Sequence, residues 1–368
     1  DPDADCQHAK KFFSEIFGNE IDQSAIEEFF GYALFKDYPF AIVLMLLGEG
    51  ANGKSTLLAL LRSFLGYENC SGCTPEQLTN DKFKMAQLHG KLANIAGDIP
   101  AKPLEYTGVI KMLTGGDLIT AEHKNRDPFT FRNYSKLIFS MNQLPIAYDT
   151  TSAFHRRMRI IEFPFVFSSD DDKTIPQDQL LSMLTDSKEL SGLFNLAIEG
   201  YKRLRSKGQL TGEETPMEKR ISYVKRSDPV EYMALKFLYR DPLASPIEKE
   251  ILYDAYIQLA VSLGKTPTSN AWFAKRVKRL APYMESKQVS VDGTKSWVWT
   301  GLGVFWNDLY AVADKIEDSA EGRIDKSTTE KIDDSPSLID RLTGVNGDNL
   351  QTDKVDDVFD EFIDDNEL

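Results

Sequence analysis

Residues 47 to 56 read Leu47-Gly48-Glu49-Gly50-Ala51-Asn52-Gly53-Lys54-Ser55-Thr56, and no other stretch restricts the fold as tightly. Three glycines, a lysine and two hydroxyl residues at this spacing match a phosphate-binding loop, which needs a strand before it and a helix behind it. Both are legible. Ile42-Val43-Leu44-Met45-Leu46-Leu47 is a continuous β-favouring run, as in a strand buried on both faces. Ser55 to Leu65 carries Leu57, Leu58, Leu60, Leu61 and Leu65 at helical spacing. Glycines at 48, 50 and 53 allow a tight turn that aims N–H groups at phosphate oxygens, and the helix start adds a positive partial charge. Lys54 would then reach the β and γ phosphates and Ser55 would offer its hydroxyl to Mg2+. Binding of a nucleoside triphosphate is the expectation, with a ligand-free glycine turn as the plain alternative.

At 368 residues the chain has room for two or three domains. It begins at Asp1, without methionine, and is expected to be a piece of something longer. No apolar stretch approaches a membrane span and no signal peptide is visible, so a non-membrane, intracellular protein is expected. The net charge of −14 is unevenly spread: Asp314 to Leu368 hold 18 acidic and 6 basic residues, a net of −12, leaving −2 for the rest. That tail is expected to be largely disordered, either as a solvated end or, through Val355, Val358, Phe359, Phe362 and Ile363, as a segment that folds onto a replication partner or imitates nucleic acid. Cys6, Cys70 and Cys73 are the three cysteines; Cys70-Ser71-Gly72-Cys73 has zinc-knuckle spacing but no second pair, so free thiols are expected.

Along the chain, residues 1–40 show helical spacing in two or three segments. Residues 41–167 alternate short β-like runs with helical stretches, the pattern of a parallel α/β sheet. Residues 168–227 read as a helical connector or lid, with Gly192, Gly200 and Gly208 as expected interruptions. Residues 228–313 show three helical patterns followed by two strand-like runs joined through Asp292-Gly293, which suggests a winged helix.

Within the α/β region, Leu92-Ala93-Asn94-Ile95-Ala96-Gly97-Asp98 is an apolar run ending in a carboxylate, a candidate Mg2+ partner or simply a turn residue. A second run, Lys136 to Met141, ends in Asn142, an amide able to orient a water or sense a phosphate. His155-Arg156-Arg157-Met158-Arg159 follows, either a source of transition-state charge stabilisation or a surface basic cluster. Between these runs, two β-like arms flank a tip of His123, Lys124, Asn125 and Arg126, which could meet a phosphate backbone. Late in the chain, Lys275, Arg276, Lys278 and Arg279 give one helix a basic face beside Trp272 and Phe273.

The order of these pieces resembles superfamily 3 helicases, in particular the helicase part of phage, plasmid and poxvirus-type primase-helicases. The resemblance runs from about residue 10 to 300. It is carried by Gly48 to Thr56, His89 to Asp98 (HGKLANIAGD), Leu113 to Ala121 (LTGGDLITA), Lys136 to Pro145 (KLIFSMNQLP) and Ala153 to Pro164 (AFHRRMRIIEFP). It implies an α/β, AAA+-like P-loop ATPase core with an N-terminal helical segment and a C-terminal winged-helix domain. It also implies a ring, usually hexameric, with ATP and Mg2+ between subunits and single-stranded or forked DNA as substrate. On that pattern Lys54 and Ser55 hold phosphate and metal, Asp98 joins the metal and water site, Asn142 is a sensor, and Arg156 or Arg157 is an arginine finger. The hairpin with His123, Lys124 and Arg126 would grip DNA. One departure stands out: the family's second motif commonly ends in Glu or two acids, whereas Gly97-Asp98 offers one shorter carboxylate. A packaging ATPase, or a nucleotide-gated origin-binding or loading scaffold with weak ATPase, are the competing expectations.

Overall fold

The computed structural model describes residues 1–104, 107–167, 175–291 and 294–314. The acidic tail beyond Asp314 and the expected Asp292-Gly293 turn lie outside them. Helices α1 (Gln7–Ile16) and α2 (Glu20–Ala33) precede β1 (Val43–Leu47). Then come α3 (Lys54–Leu65), β2 (Cys70–Ser71), α4 (Pro75–Asn80), α5 (Lys82–Met85), β3 (Ala93–Ala96) and α6 (Gly108–Gly115). A hairpin of β4 (Leu118–Ala121) and β5 (Phe129–Arg132) leads to β6 (Lys136–Met141), α7 (Ser152–His155) and β7 (Met158–Glu162). The remainder holds α8 (Gln177–Leu184), α9 (Ser187–Lys207), α10 (Pro216–Ser227), α11 (Pro229–Phe237), β8 (Leu238–Arg240), β9 (Ile247–Glu248) and α12 (Lys249–Ser262). It closes with α13 (Asn270–Leu280), β10 (Glu285–Val291), β11 (Thr294–Thr300), β12 (Leu302–Val304) and α14 (Trp306–Asp314).

Five strands form a parallel sheet in the order β2-β3-β6-β1-β7. Both of its faces are covered, which is why β1 is apolar throughout rather than alternating. Val43 and Met45 join Leu137 and Phe139 in a core that continues through α10 and α11 to α12, α13 and α14. Leu44 and Leu46 join Ile95 and Ile138 in a second core with α1, α2, α3 and α9. Strand β6 begins with an expensive residue, Lys136, which is fully buried. Its ammonium donates to the carbonyls of Phe35 (2.5 Å), Asp37 (2.8 Å) and Tyr134 (2.9 Å) and lies over the Tyr32 ring, while burial lowers its pKa to about 8.

Two expected helix interruptions turn out to be packing sites. Gly192 and Gly200 lie inside α9; a Cβ on Gly200 would sit 2.6 Å from the Glu27 carbonyl oxygen, and one on Gly31 of α2 would sit 2.0 Å from that of Ala197. Glycine is therefore used for the close crossing of α2 and α9, and only Gly208, at φ 74°, ends the helix. The first helix of the 228–313 region stops at Phe237, and the next three residues pair with β12 as a two-stranded sheet. β10, β11 and β9 form a separate antiparallel sheet beside α12 and α13.

Candidate functional site

The loop after β1 is anchored at its start to the segments that follow both neighbouring strands. The Phe163 N–H donates to Leu47 O at 2.8 Å, and the Gly48 N–H to Met141 O at 3.3 Å. Ala51 (φ 55°) and Gly53 (φ 88°) take left-handed backbone angles, so one of the two turns is made by an alanine at some conformational cost. Gly48 is needed for space instead: a Cβ there would lie 2.5 Å from Asn52 Nδ2 and 2.8 Å from the Phe163 carbonyl oxygen. Gly50 faces open space.

Asn52 is buried and braces the loop, donating through Nδ2 to Glu49 O and accepting from Lys54 Nζ at 3.1 Å. The Lys54 ammonium also donates to Gly48 O and, at 3.0 Å, to Glu49 O. Burial lowers the Lys54 pKa and the charge of Asp98 opposes that shift. All of these acceptors belong to the loop itself, and no side chain caps α3 at Gly53. A half-desolvated ammonium beside an uncapped helix start fits a polyphosphate, whose charge both groups would favour. Ser55 is exposed, whereas Thr56 is buried.

Strands β3, β6 and β1 are neighbours and run the same way, so their carboxyl ends share one edge of the sheet. That edge carries Asp98, Asn142 and the loop, the usual ligand position in open α/β sheets. Asp98 is exposed, at φ 53°, and the following Ile99 N–H donates to Ser140 O at 3.0 Å, which pins this turn to β6. Asn142 follows β6 directly and is exposed. No cluster of three or more His, Cys, Asp or Glu among the described residues could hold a metal unaided, so a Mg2+ at Ser55 and Asp98 would rely on phosphate oxygens and water. Cys73 is buried, its thiol donating to Lys84 O at 3.5 Å and Gln87 Oε1 at 3.3 Å, with burial raising its pKa.

The arginines stand elsewhere. Val43 pairs with Met158, and the Val43 N–H donates to Arg157 O at 2.7 Å, so Arg156 and Arg157 lie at the amino end of β7, opposite the loop. They differ sharply. Arg157 is buried, its Nε donating to Thr114 Oγ1 at 2.8 Å and its NH1 to Ala153 O; burial, then Arg156, lower its pKa. Arg156 is exposed and its guanidinium has no ion-pair partner among the described residues.

β4 and β5 pair from Leu118↔Arg132 to Ala121↔Phe129 and project His123, Lys124, Asn125 and Arg126 at an exposed tip. His123 stacks on Phe129 (5.1 Å between centroids), which fixes its ring; Lys124 and Arg126 have no ion-pair partner among the described residues. On α13, Lys275 and Arg279 are exposed, and Lys278 donates to Pro282 O at 3.0 Å. Arg276 departs from the expected basic face. It is buried, its NH2 donating to Asp228 Oδ2 at 2.8 Å and Glu231 Oε2 at 2.7 Å, with its guanidinium over Tyr148. Helical spacing alone could not separate it from its exposed neighbours, although Phe273, three residues earlier and buried, marks the inward side.

Residues 46–157, which contain the loop, Asp98, Asn142, the hairpin and both arginines, match the model of a family of unknown function (DUF5906). The chain is similar to "Putative helicase L207/L206" of Acanthamoeba polyphaga mimivirus, 27% identical over 203 residues. That match takes in 50% of this chain and 21% of the viral protein. Among solved structures, the apo C-terminal region of NrS-1 aligns over 80% of this chain and 76% of its own at 14% identity, with a TM-score of 0.46. A JCV helicase structure aligns over 54% of this chain and 61% of its own at 13% identity, with a TM-score of 0.34.

Proposed function

We propose that this chain is the ATP-hydrolysing part of a DNA helicase of the superfamily 3 type, working as a ring, with six subunits the expected number, and moving 3′ to 5′ on single-stranded DNA. The observation that carries this reading is the shared sheet edge, where the loop that leads to Lys54, and the residues Asp98 and Asn142, follow three adjacent parallel strands. The helicase-named viral relative, the order of motifs and the exposed cationic hairpin support it.

In this scheme Lys54 exchanges its carbonyl partners for the β and γ phosphates, and the α3 start supplies N–H donors. A Mg2+ held by Ser55 and Asp98 would neutralise developing phosphate charge. Asn142 orients the attacking water. The five residues of β1 span about 16 Å, so Arg156 at the far edge of the sheet cannot reach the nucleotide of its own subunit. In this proposal it serves a neighbour's instead, which would make ring assembly part of the chemistry. Arg156 is the finger in this proposal, and Arg157 holds the base of that segment. Lys124, His123 and Arg126 grip the strand. Helices α11 to α13 with the β10–β11 hairpin act as a winged helix that presents Lys275 and Arg279 to forked DNA.

One observation favours the second reading, a nucleotide-gated origin-binding or loading scaffold: the site offers one short carboxylate, Asp98, for water activation. The deciding experiment is ATP hydrolysis with and without single-stranded DNA, plus strand displacement on a tailed duplex, for wild type and Lys54→Ala. DNA-stimulated hydrolysis and unwinding, both lost in the variant, are expected. ATP binding with neither activity would replace the motor by the scaffold.

A further inference from the structure

Strand β11 places Lys295, Trp297 and Trp299 on one face, since alternate residues share a side. Trp299 is buried, at 3% exposure, but Trp297 is 55% exposed although it belongs to the same core-facing row. The sheet thus runs outward past the core it covers. Beyond its edge lies a cleft of about 530 Å³ whose walls are Trp297, Ser286 and Lys295 from the hairpin, Lys249 and Glu250 from the start of α12, and Asn270 from the start of α13. The Lys249 ammonium lies 4.2 Å from the Trp299 ring centroid and 5.1 Å from that of Trp297, holding the outer indole in place by cation–π attraction.

This chemistry differs from that of the hairpin tip at Lys124. A cationic tip suits phosphates, whereas the cleft offers a fixed indole face, hydroxyl and amide groups, and the carboxylates of Glu248 and Glu250. Carboxylates repel a phosphate track but accept hydrogen bonds from the amino groups of bases. Cations flank them: Lys295 at the outer end, and Lys278 one turn beyond Ala274, on the helix stripe that begins at Asn270. Bases within a duplex are stacked on one another and cannot enter such a cleft face-on; unpaired bases can.

We propose that this cleft is a second nucleic-acid site, which takes an unpaired base of single-stranded DNA stacked on Trp297 while Lys295 and Lys278 meet the flanking phosphates. It rests on the reading of the chain as a DNA motor and adds to it a hold on the strand outside the hairpin.

The test uses the full chain and short oligodeoxycytidylates, measuring affinity by anisotropy and tryptophan emission on titration. Trp297→Ala is expected to bind roughly ten-fold more weakly, the scale of one lost base–aromatic stack. Its DNA-independent ATP hydrolysis should be unchanged. Trp297→Phe should keep most of the affinity but lose most of the emission change, and Lys124→Ala should weaken binding while keeping that change at saturation. Wild-type affinity in Trp297→Ala, in a chain that still hydrolyses ATP and unwinds, overturns the cleft and leaves the motor intact. An equal emission change with blunt duplex or with polyglutamate also overturns it, assigning the cleft to paired DNA or an acidic peptide. No binding of single strands by the wild type removes cleft and motor together.

Discussion

Two adjacent arginines with the same side chain should respond differently to substitution, because one lies inside and the other outside. Arg157→Ala would leave Thr114 Oγ1 and Ala153 O short of a buried donor, so a loss of about 1–3 kcal/mol is expected, read as a lower urea midpoint. Arg156→Ala removes nothing that is packed. Its unfolding midpoint should stay at the wild-type value, with nucleotide binding kept and hydrolysis reduced by about 10³-fold or more. Mixing Arg156→Ala with Lys54→Ala subunits should restore a minority of active sites; mixtures as dead as the parents would count against a shared site. The sequence placed both arginines but could not rank them, because burial is set by α6, whose Thr114 is 43 positions away.

At the scale of elements, glycines and charges act where helices meet. Gly200→Ala keeps α9 helical by propensity but drives a methyl into the α2 backbone, so destabilisation of at least 1–3 kcal/mol is expected despite the better helix former. If the variant were more stable, the close crossing would be wrong. Asp228 caps α11 by accepting from the Val230 N–H at 3.1 Å and the Glu231 N–H at 3.2 Å, and it also receives Arg276 from α13. Arg276→Ala strands the buried Asp228 carboxylate and leaves Glu231, whose pKa burial already raises, with Arg220 alone at 2.8 Å, so a loss of about 3–5 kcal/mol is expected in urea unfolding. Its DNA affinity, measured below the unfolding transition, should match wild type, whereas Lys275→Ala should lower it and reduce the salt slope.

Across the whole molecule, the segment after β6 ties the carboxyl edge of the sheet to the rest. Asp149 accepts from Lys111 of α6 at 2.8 Å and from Thr107, and its carbonyl lies 3.0 Å from Nε2 of the buried His155, against Tyr223 of α10. Burial, then Arg220, push the His155 pKa down to about 4. A base with a depressed folded pKa stays neutral while the unfolded chain protonates, so stability is lost as pH falls from about 6.5 to about 4. This contribution reaches about 3 kcal/mol at most, and the raised Glu231 pKa partly offsets it near the acid end. Thermal unfolding of wild type and His155→Gln across that range should show a smaller acid loss in the variant; identical profiles would locate the acid sensitivity elsewhere. At the hairpin, Lys124→Ala should weaken single-strand binding and flatten its salt dependence while leaving basal hydrolysis nearly unchanged.

The sequence by itself determined what depends on neighbours along the chain. The loop, its strand and its helix are local, and the apolar runs of β1, β3 and β6 already declared a sheet covered on both sides. The hairpin arms were equally plain. Only the tertiary structure decided what depends on distant contacts: that β6 lies between β1 and β3, so that Asn142 comes between Lys54 and Asp98; that Arg276 points inward; and that Gly200 packs rather than breaks. Short strands such as β8, β9 and β12 escaped the sequence because two or three residues carry no period, and each forms only because a partner strand supplies its hydrogen bonds. Periodicity shows which face of an element is apolar, but the partner that covers that face is chosen by the fold.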